Sequence, residues 1–390
     1  MEKFDKIIHF IREIYKEPKD FIPLHAPVFR GNEKKYINDC IDSTFVSSVG
    51  KYVDRFEEMV ADYTGAKRAI VTVNGTNALH LTLLTVGVKQ NTEVITQPLT
   101  FIATANAISY AGAKPVFIDV DKDTLGLSPE KLEYWLKNNT KIDKATSKPI
   151  NTLTNRLITA CVPMHTFGHP CRIDEIVDLC NEYNIPLVED AAESLGSTYK
   201  GKHTGTFGKL GILSFNGNKT LTTGGGGMIL TNDEALGNHI KHLTTQAKVT
   251  HPWEFIHDEV GYNYRMPNIN AALGVAQMER IEEIIENKRQ TAQKYRSFFE
   301  KFADIQFVEE PTQAKSNFWL NAILLSNRKE RDEFLKYTNE NGIMTRPAWT
   351  LMNKLKMFKD CITGDVENAM WLEDRVVNIP SSAITIENHE

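Results

Sequence analysis

Seven short apolar runs punctuate the first part of the chain: Arg68–Val73, Glu93–Thr96, Pro115–Val120, Leu157–Val162, Pro186–Glu189, Gly211–Phe215 and Gly227–Leu230. Several are apolar without alternation, the pattern of strands covered on both faces. Between them, apolar residues recur at helical spacing over Thr76–Val86, Thr100–Tyr110, Pro129–Asn138 and Ile173–Tyr183. This alternation predicts an α/β fold with a mostly parallel sheet covered by helices. After about Asp233 the pattern changes. One long connector helix is predicted over Ile269–Phe302, and mixed signals from Gln306 onward predict a smaller α+β domain. The polar stretch Asn138–Asn155 reads as an exposed loop. Phe4, Ile7, Ile8, Ile11, Ile14 and Tyr15 share one face of an N-terminal helix, whose Lys6, Arg12 and Glu13 interrupt any signal-peptide core. The expected division is a helix over 1–20, a large domain over 21–250, and a connector with a small C-terminal domain over 251–390.

Composition narrows the picture only by exclusion. With 41% apolar and 24% charged residues in 390, the chain is an ordinary globular one of about two domains. A net charge of -5 gives no electrostatic basis for binding nucleic acid or an anionic membrane. No apolar run approaches the ~18 residues of a membrane span. The five cysteines are irregularly spaced and form no Cys-x-x-Cys pair, so no zinc site or disulfide framework is indicated. Reduced thiols in a cytoplasmic compartment are the expectation.

Ligands of open parallel sheets bind at the carboxyl ends of the strands. Asp190 ends such a strand, where a carboxylate either fixes a cationic ring nitrogen or caps a turn. Lys219 follows another strand, among turn-forming residues, where partial burial would make its amine available for imine formation. It does not belong to a phosphate-binding P-loop, because Asn218 separates it from Gly217. Gly75-Thr76-Asn77 opens a helix, which makes either an anion site or a simple cap. Phe101 is a stacking surface or a core aromatic. Ser214 and His165 also stand at strand ends. No Gly-x-Gly-x-x-Gly follows the first strand, which argues against a dinucleotide-binding oxidoreductase.

In their order along the chain these residues resemble the sugar aminotransferases of the DegT/DnrJ/StrS family, over about Phe21 to Ser382. The resemblance is carried by Val188-Glu189-Asp190-Ala191-Ala192-Glu193, by Ser214-Phe215 with Lys219 beyond, and by Gly261-Tyr262-Asn263-Tyr264-Arg265-Met266. It implies aminotransferase fold type I, with a seven-stranded, mostly parallel sheet, and pyridoxal 5'-phosphate as cofactor. By the same resemblance, Lys219 would hold the cofactor as an imine and shuttle protons, and Asp190 would pair with the ring nitrogen. Thr76, Asn77 and Ser214 would hold the phosphate, and Phe101 would stack on the ring. Glu193 stands where relatives often have Gln or His. The turn containing Asn263 and Arg265 would reach into the neighbouring subunit's site in a homodimer.

One subgroup is closer. Phe21-Ile22-Pro23-Leu24-His25, the stretch from Asp42 to Lys51, and Asn216-Gly217-Asn218-Lys219 are similar to the aminotransferases of the bacillosamine and legionaminic acid pathways. This implies a nucleotide-sugar substrate, UDP-linked 4-keto-6-deoxy-N-acetylglucosamine, aminated at C4 with glutamate as donor for a surface glycan. Ser48, Lys51, His165, Arg265 and Arg346 are the candidate substrate contacts. Two alternatives stay open. A sugar dehydratase of the same fold would replace the lysine by His, which Lys219 argues against. A catalytically idle sensor would not need Lys219, Asp190 and Thr76 together.

Overall fold

The computed structural model describes residues 2–384. Its central sheet contains β1 (Arg68–Thr72), β2 (Glu93–Thr96), β3 (Lys114–Phe117), β4 (Arg156–Val162), β5 (Val188–Asp190), β6 (Leu210–Ser214) and β7 (Gly227–Thr231). They lie in the order β3-β2-β4-β5-β6-β7-β1, with β4 joined to β5 through the parallel bridges Cys161–Leu187 and Met164–Asp190. Only β7 runs antiparallel to its neighbours. Every residue of β2 and β7 is buried, Glu93 and Thr96 of β2 included, as expected of strands with helices on both faces.

The second sheet is antiparallel and four-stranded. Asn321–Leu324 and Val376–Ile379 form its centre, with Gln306–Phe307 and Arg346–Pro347 at the edges. The N-terminal helix Glu2–Tyr15 packs on this part of the molecule. Its Phe4, Ile7, Ile11 and Ile14 share a core with Phe299, Phe334, Ile343 and Ile379.

Two segments differ from the sequence reading. The stretch expected to be one connector is two helices, Asn268–Met278 and Ile281–Phe299. No Gly or Pro marks the break. The first helix is buried on nearly all sides, while the second has an amphipathic stripe. Between them the Glu279 carboxylate is held by Asn32, Tyr36 and Arg55, and Arg280 leaves helical geometry. The expected loop at 138–155 contains a hairpin. Thr140–Ile142 pairs with Pro149–Asn151, which continues onto β4, and buried Asn151 donates to Glu93 Oε2 at 2.7 Å.

The second helix also buries Lys288. Its ammonium donates to the carbonyls of Trp319 (3.2 Å) and Ser381 (2.5 Å). Among the described residues no carboxylate pairs with it, and burial lowers its pKa to about 7.

Candidate active site

A cavity of about 320 Å³ opens at the carboxyl ends of β1, β2, β4, β5 and β6. Thr76, Phe101, Asp190, Glu193, Ser214 and Lys219 all line it. Asn77 lies half-buried in the first turn of the helix whose opening residues form one wall. A wider groove, beside Arg296, Phe307 and Trp371, lies away from these residues.

At the end of β1 the chain stays extended through Asn74 and enters a helix at Gly75. The cap is Asn74, whose side chain accepts from the Asn77 amide at 2.8 Å. Thr76 is therefore not needed as the cap, and the opening of the helix, with its unpaired amides, faces the cavity. This turn lies against β7. A Cβ on Gly227 would come within 2.5 Å of the Asn74 carbonyl carbon and 2.7 Å of the Gly75 nitrogen. Only glycine allows that approach.

Asp190 is buried. Thr104 donates to one carboxylate oxygen at 2.7 Å and the Ala192 amide to the other at 3.2 Å. Burial raises its pKa, and these donors, with the Lys219 charge, work against that rise. Three residues on, Glu193 is also buried. One of its oxygens lies 3.1 Å from Lys219 Nζ, and the other accepts from the Phe167 amide at 2.9 Å. Phe167 adopts a left-handed backbone (φ 58°), strained for a non-glycine residue, to present that amide.

Lys219 lies on a loop clamped at both ends. The Phe215 amide donates to Gly226 at 2.8 Å, and the Thr223 amide donates to Phe215 at 3.0 Å. The side chain is 13% exposed, and its ammonium sits 3.8 Å from the centre of the Trp319 ring. The Trp319 indole donates to the Asn218 carbonyl at 2.7 Å. Buried Asn317 binds this cluster together. Its amide donates to the carbonyls of Glu193 and Leu195 and to the Thr220 hydroxyl, and its oxygen accepts from the Trp319 amide. Phe101 is 49% exposed, so it is no core aromatic, and its ring meets Trp349 at 6.2 Å.

Besides Asn77, six predicted residues lie outside the cavity of this chain. His165 is a correction to the strand-end rule. It is fully buried, with its imidazole engaged by Glu189 (3.1 Å) and the Cys171 amide (3.3 Å). Lys51 pairs with Asp39 at 2.7 Å, and Ser48 is half-buried in the otherwise exposed 41–49 segment, beside exposed Phe45 and Val49. Arg346 is exposed and donates to Asn339 and to the Thr345 carbonyl. Asn263 is exposed, and Arg265 lies 3.8 Å from Asp54. Trp319, Trp349 and Asn317 went unnoticed in the sequence. They arrive from the C-terminal region, and no local pattern ties them to Lys219.

A lysine amine, a buried carboxylate, a stacking ring and a helix opening narrowed by Gly227 fit a phosphorylated aldehyde with a basic ring nitrogen. Among the described residues no cluster of His, Cys, Asp and Glu is arranged for a metal ion. Fold and site together define a pyridoxal-phosphate-dependent enzyme of aminotransferase fold type I. The chain belongs to the DegT/DnrJ/EryC1/StrS aminotransferase family, whose model matches residues 27–389. It is 38% identical over 363 residues to the GDP-perosamine synthase of Escherichia coli O157:H7, covering 93% of each chain. It is 37% identical over 278 residues to a UDP-4-amino-4,6-dideoxy-N-acetyl-beta-L-altrosamine transaminase of Campylobacter jejuni, covering 71% of this chain and 69% of the relative. Among solved structures, the putative sugar aminotransferase Spr1654 of Streptococcus pneumoniae in its PLP form superposes with a TM-score of 0.81. It has 22% identity, with 93% of each chain covered. The protein is a sugar aminotransferase acting on a nucleotide-linked sugar.

Proposed function

We propose that the protein transfers an amino group from glutamate to C4 of UDP-linked 4-keto-6-deoxy-N-acetylglucosamine, in the cytoplasm, for a surface glycan. The observation that carries the amination chemistry is the convergence of Lys219, Asp190 and Glu193 in one cavity. When bound, pyridoxal phosphate supplies the electron sink. Lys219 would anchor it through Nζ and would afterwards carry one proton in each half-reaction at that atom. Asp190, charged and fixed by Thr104, holds the ring nitrogen protonated. Thr76, Asn77 and Ser214 would hold the cofactor's phosphate at the helix opening, and Phe101 would cover its ring.

The sugar assignment is supported by the resemblance at Phe21–His25 and at 42–51. A second reading, a GDP-linked sugar, is favoured by the 38% identity to a GDP-perosamine synthase. We further read the enzyme as a homodimer. Asn263 and Arg265, which lie outside this chain's own cavity, would then complete the neighbour's site, and Ser48 and Lys51 would meet the diphosphate from the same boundary. Exposed Phe45, Val46 and Val49 beside them support a covered face.

The test supplies UDP-, GDP- and dTDP-linked 4-keto-6-deoxy sugars with glutamate and follows product mass. Turnover of the UDP sugar is expected. Turnover of the GDP sugar alone would replace the nucleotide assignment, and no amination of any of the three would sink the reading.

A further inference from the structure

Lys219 has two neighbours that the family's imine chemistry does not by itself require. Glu193 Oε1 is 3.1 Å from its nitrogen, and the Trp319 ring covers the same nitrogen at 3.8 Å. Both are held from outside the sheet. The Phe167 amide fixes the second oxygen of Glu193, Asn218 accepts from the indole, and Asn317 ties the main chains of Glu193 and Trp319 together. A carboxylate and an aromatic face are the two surfaces that attract a cation in a buried site.

We propose that Glu193 and Trp319 form a holding site for the Lys219 ammonium, stabilising the charged form that the lysine passes through whenever its nitrogen carries a proton. This rests on the reading that Lys219 is the proton carrier. In that step the C–H bond of the substrate breaks, its proton bonds to Nζ, and the electron pair stays behind on the conjugated system. The amine becomes an ammonium between Glu193 and Trp319, and is discharged when it passes the proton on. A Gln at this position could keep the Phe167 contact but could not offer a charge. The charged groups facing Glu193 are Lys219 and, more remotely, Asp190. Burial raises the Glu193 carboxyl to about 7. The holding site therefore exists above that pH and is lost below it.

Two variants test this, Glu193→Gln and Glu193→Asp. In the cofactor-free protein at pH 7.5, acetic anhydride labelling of the Lys219 peptide is read by mass spectrometry. Removing an opposite charge this close disfavours the ammonium, so Glu193→Gln should label roughly tenfold faster than wild type, with Glu193→Asp between them. In the loaded enzyme, Glu193→Gln should lower kcat roughly tenfold or more with KM for the nucleotide sugar within about twofold. The acid limb of wild-type kcat near pH 7 should be absent from the variant. Labelling at the wild-type rate in Glu193→Gln overturns the holding site. Borohydride fixation of the cofactor to a different lysine overturns the underlying reading instead, so the two failures are distinct.

Discussion

Lys288 offers a sharp test of the packing between the second connector helix and the C-terminal sheet. Its amine is enclosed and, among the described residues, bonded to two carbonyls, with a pKa lowered from the 10.5 of a free lysine to about 7. At 1.36 kcal/mol per pH unit, that gap amounts to about 5 kcal/mol of preference for the charged form in the unfolded chain. The sign follows from proton counting. Between pH 7 and 10.5 the unfolded lysine is protonated and the folded one is not, so the unfolded state binds more protons and stability rises with pH. Over pH 7 to 9 this contributes about 2 kcal/mol. Lys288→Met keeps the volume and removes the titration. The carbonyls it strands cost about 1–3 kcal/mol each, but equally at every pH. His25, held below its ordinary value by burial and by Lys288 and Lys219, stays neutral across this window and adds no slope. The assay is urea denaturation of both proteins at pH 7, 8 and 9, saturated with cofactor and at one protein concentration. Wild type should gain about 2 kcal/mol over the variant between pH 7 and 9. Parallel curves would refute the claim that Lys288 is buried as a strongly desolvated amine.

Other perturbations address the site. Asp190→Asn keeps shape and removes charge, and should cost about 2–4 kcal/mol of transition-state stabilisation in steady-state kinetics, whereas near-normal kcat/KM would leave Asp190 a strand-end cap. Gly227→Ala forces a Cβ into the Asn74-Gly75 turn, so it should weaken cofactor retention in equilibrium dialysis by tenfold or more, about 1.4 kcal/mol, with little change in product identity. Mixing inactive Lys219→Ala with an inactive Asn263/Arg265 double mutant should restore activity, because one site of each mixed dimer receives both intact parts. Full activity of a proven monomer would end the shared-site reading.

What the sequence made legible was whatever depended on near neighbours. Asp190, Ser214 and the Gly75–Asn77 opening were visible because each ends or closely follows a buried strand, and a strand of a parallel sheet delivers the residues at its carboxyl end to the ligand edge. Lys219 was visible for the same reason, being within a short clamped loop. His165 obeyed the same rule yet turned away, because Glu189 offers a buried carboxylate behind it. That carboxylate also accepts from the amides of Gly205, Phe207 and Gly208. Trp319 and Asn317 were invisible, since only the packing of the C-terminal sheet brings them to the lysine. The break at Glu279–Arg280 had no breaker residue to announce it, for its cause is the set of partners around Glu279.

The single amide of Asn317 also has a bearing on motion. It reaches from the C-terminal region to Glu193, Leu195 and Thr220, and holds Trp319 against the lysine loop. Four hydrogen bonds in a buried spot make this seam a weld rather than a hinge, so the two parts of the molecule travel as one body there. On the cavity's other flank, Phe101 and Trp349 meet only as ring against ring at 6.2 Å. Rings in such contact slide past one another at small cost, about 0.5–1.5 kcal/mol for the whole pair. Of the two flanks, the Phe101 side is therefore the cheaper to part, while Trp349 keeps its own packing on Phe167 at 5.0 Å.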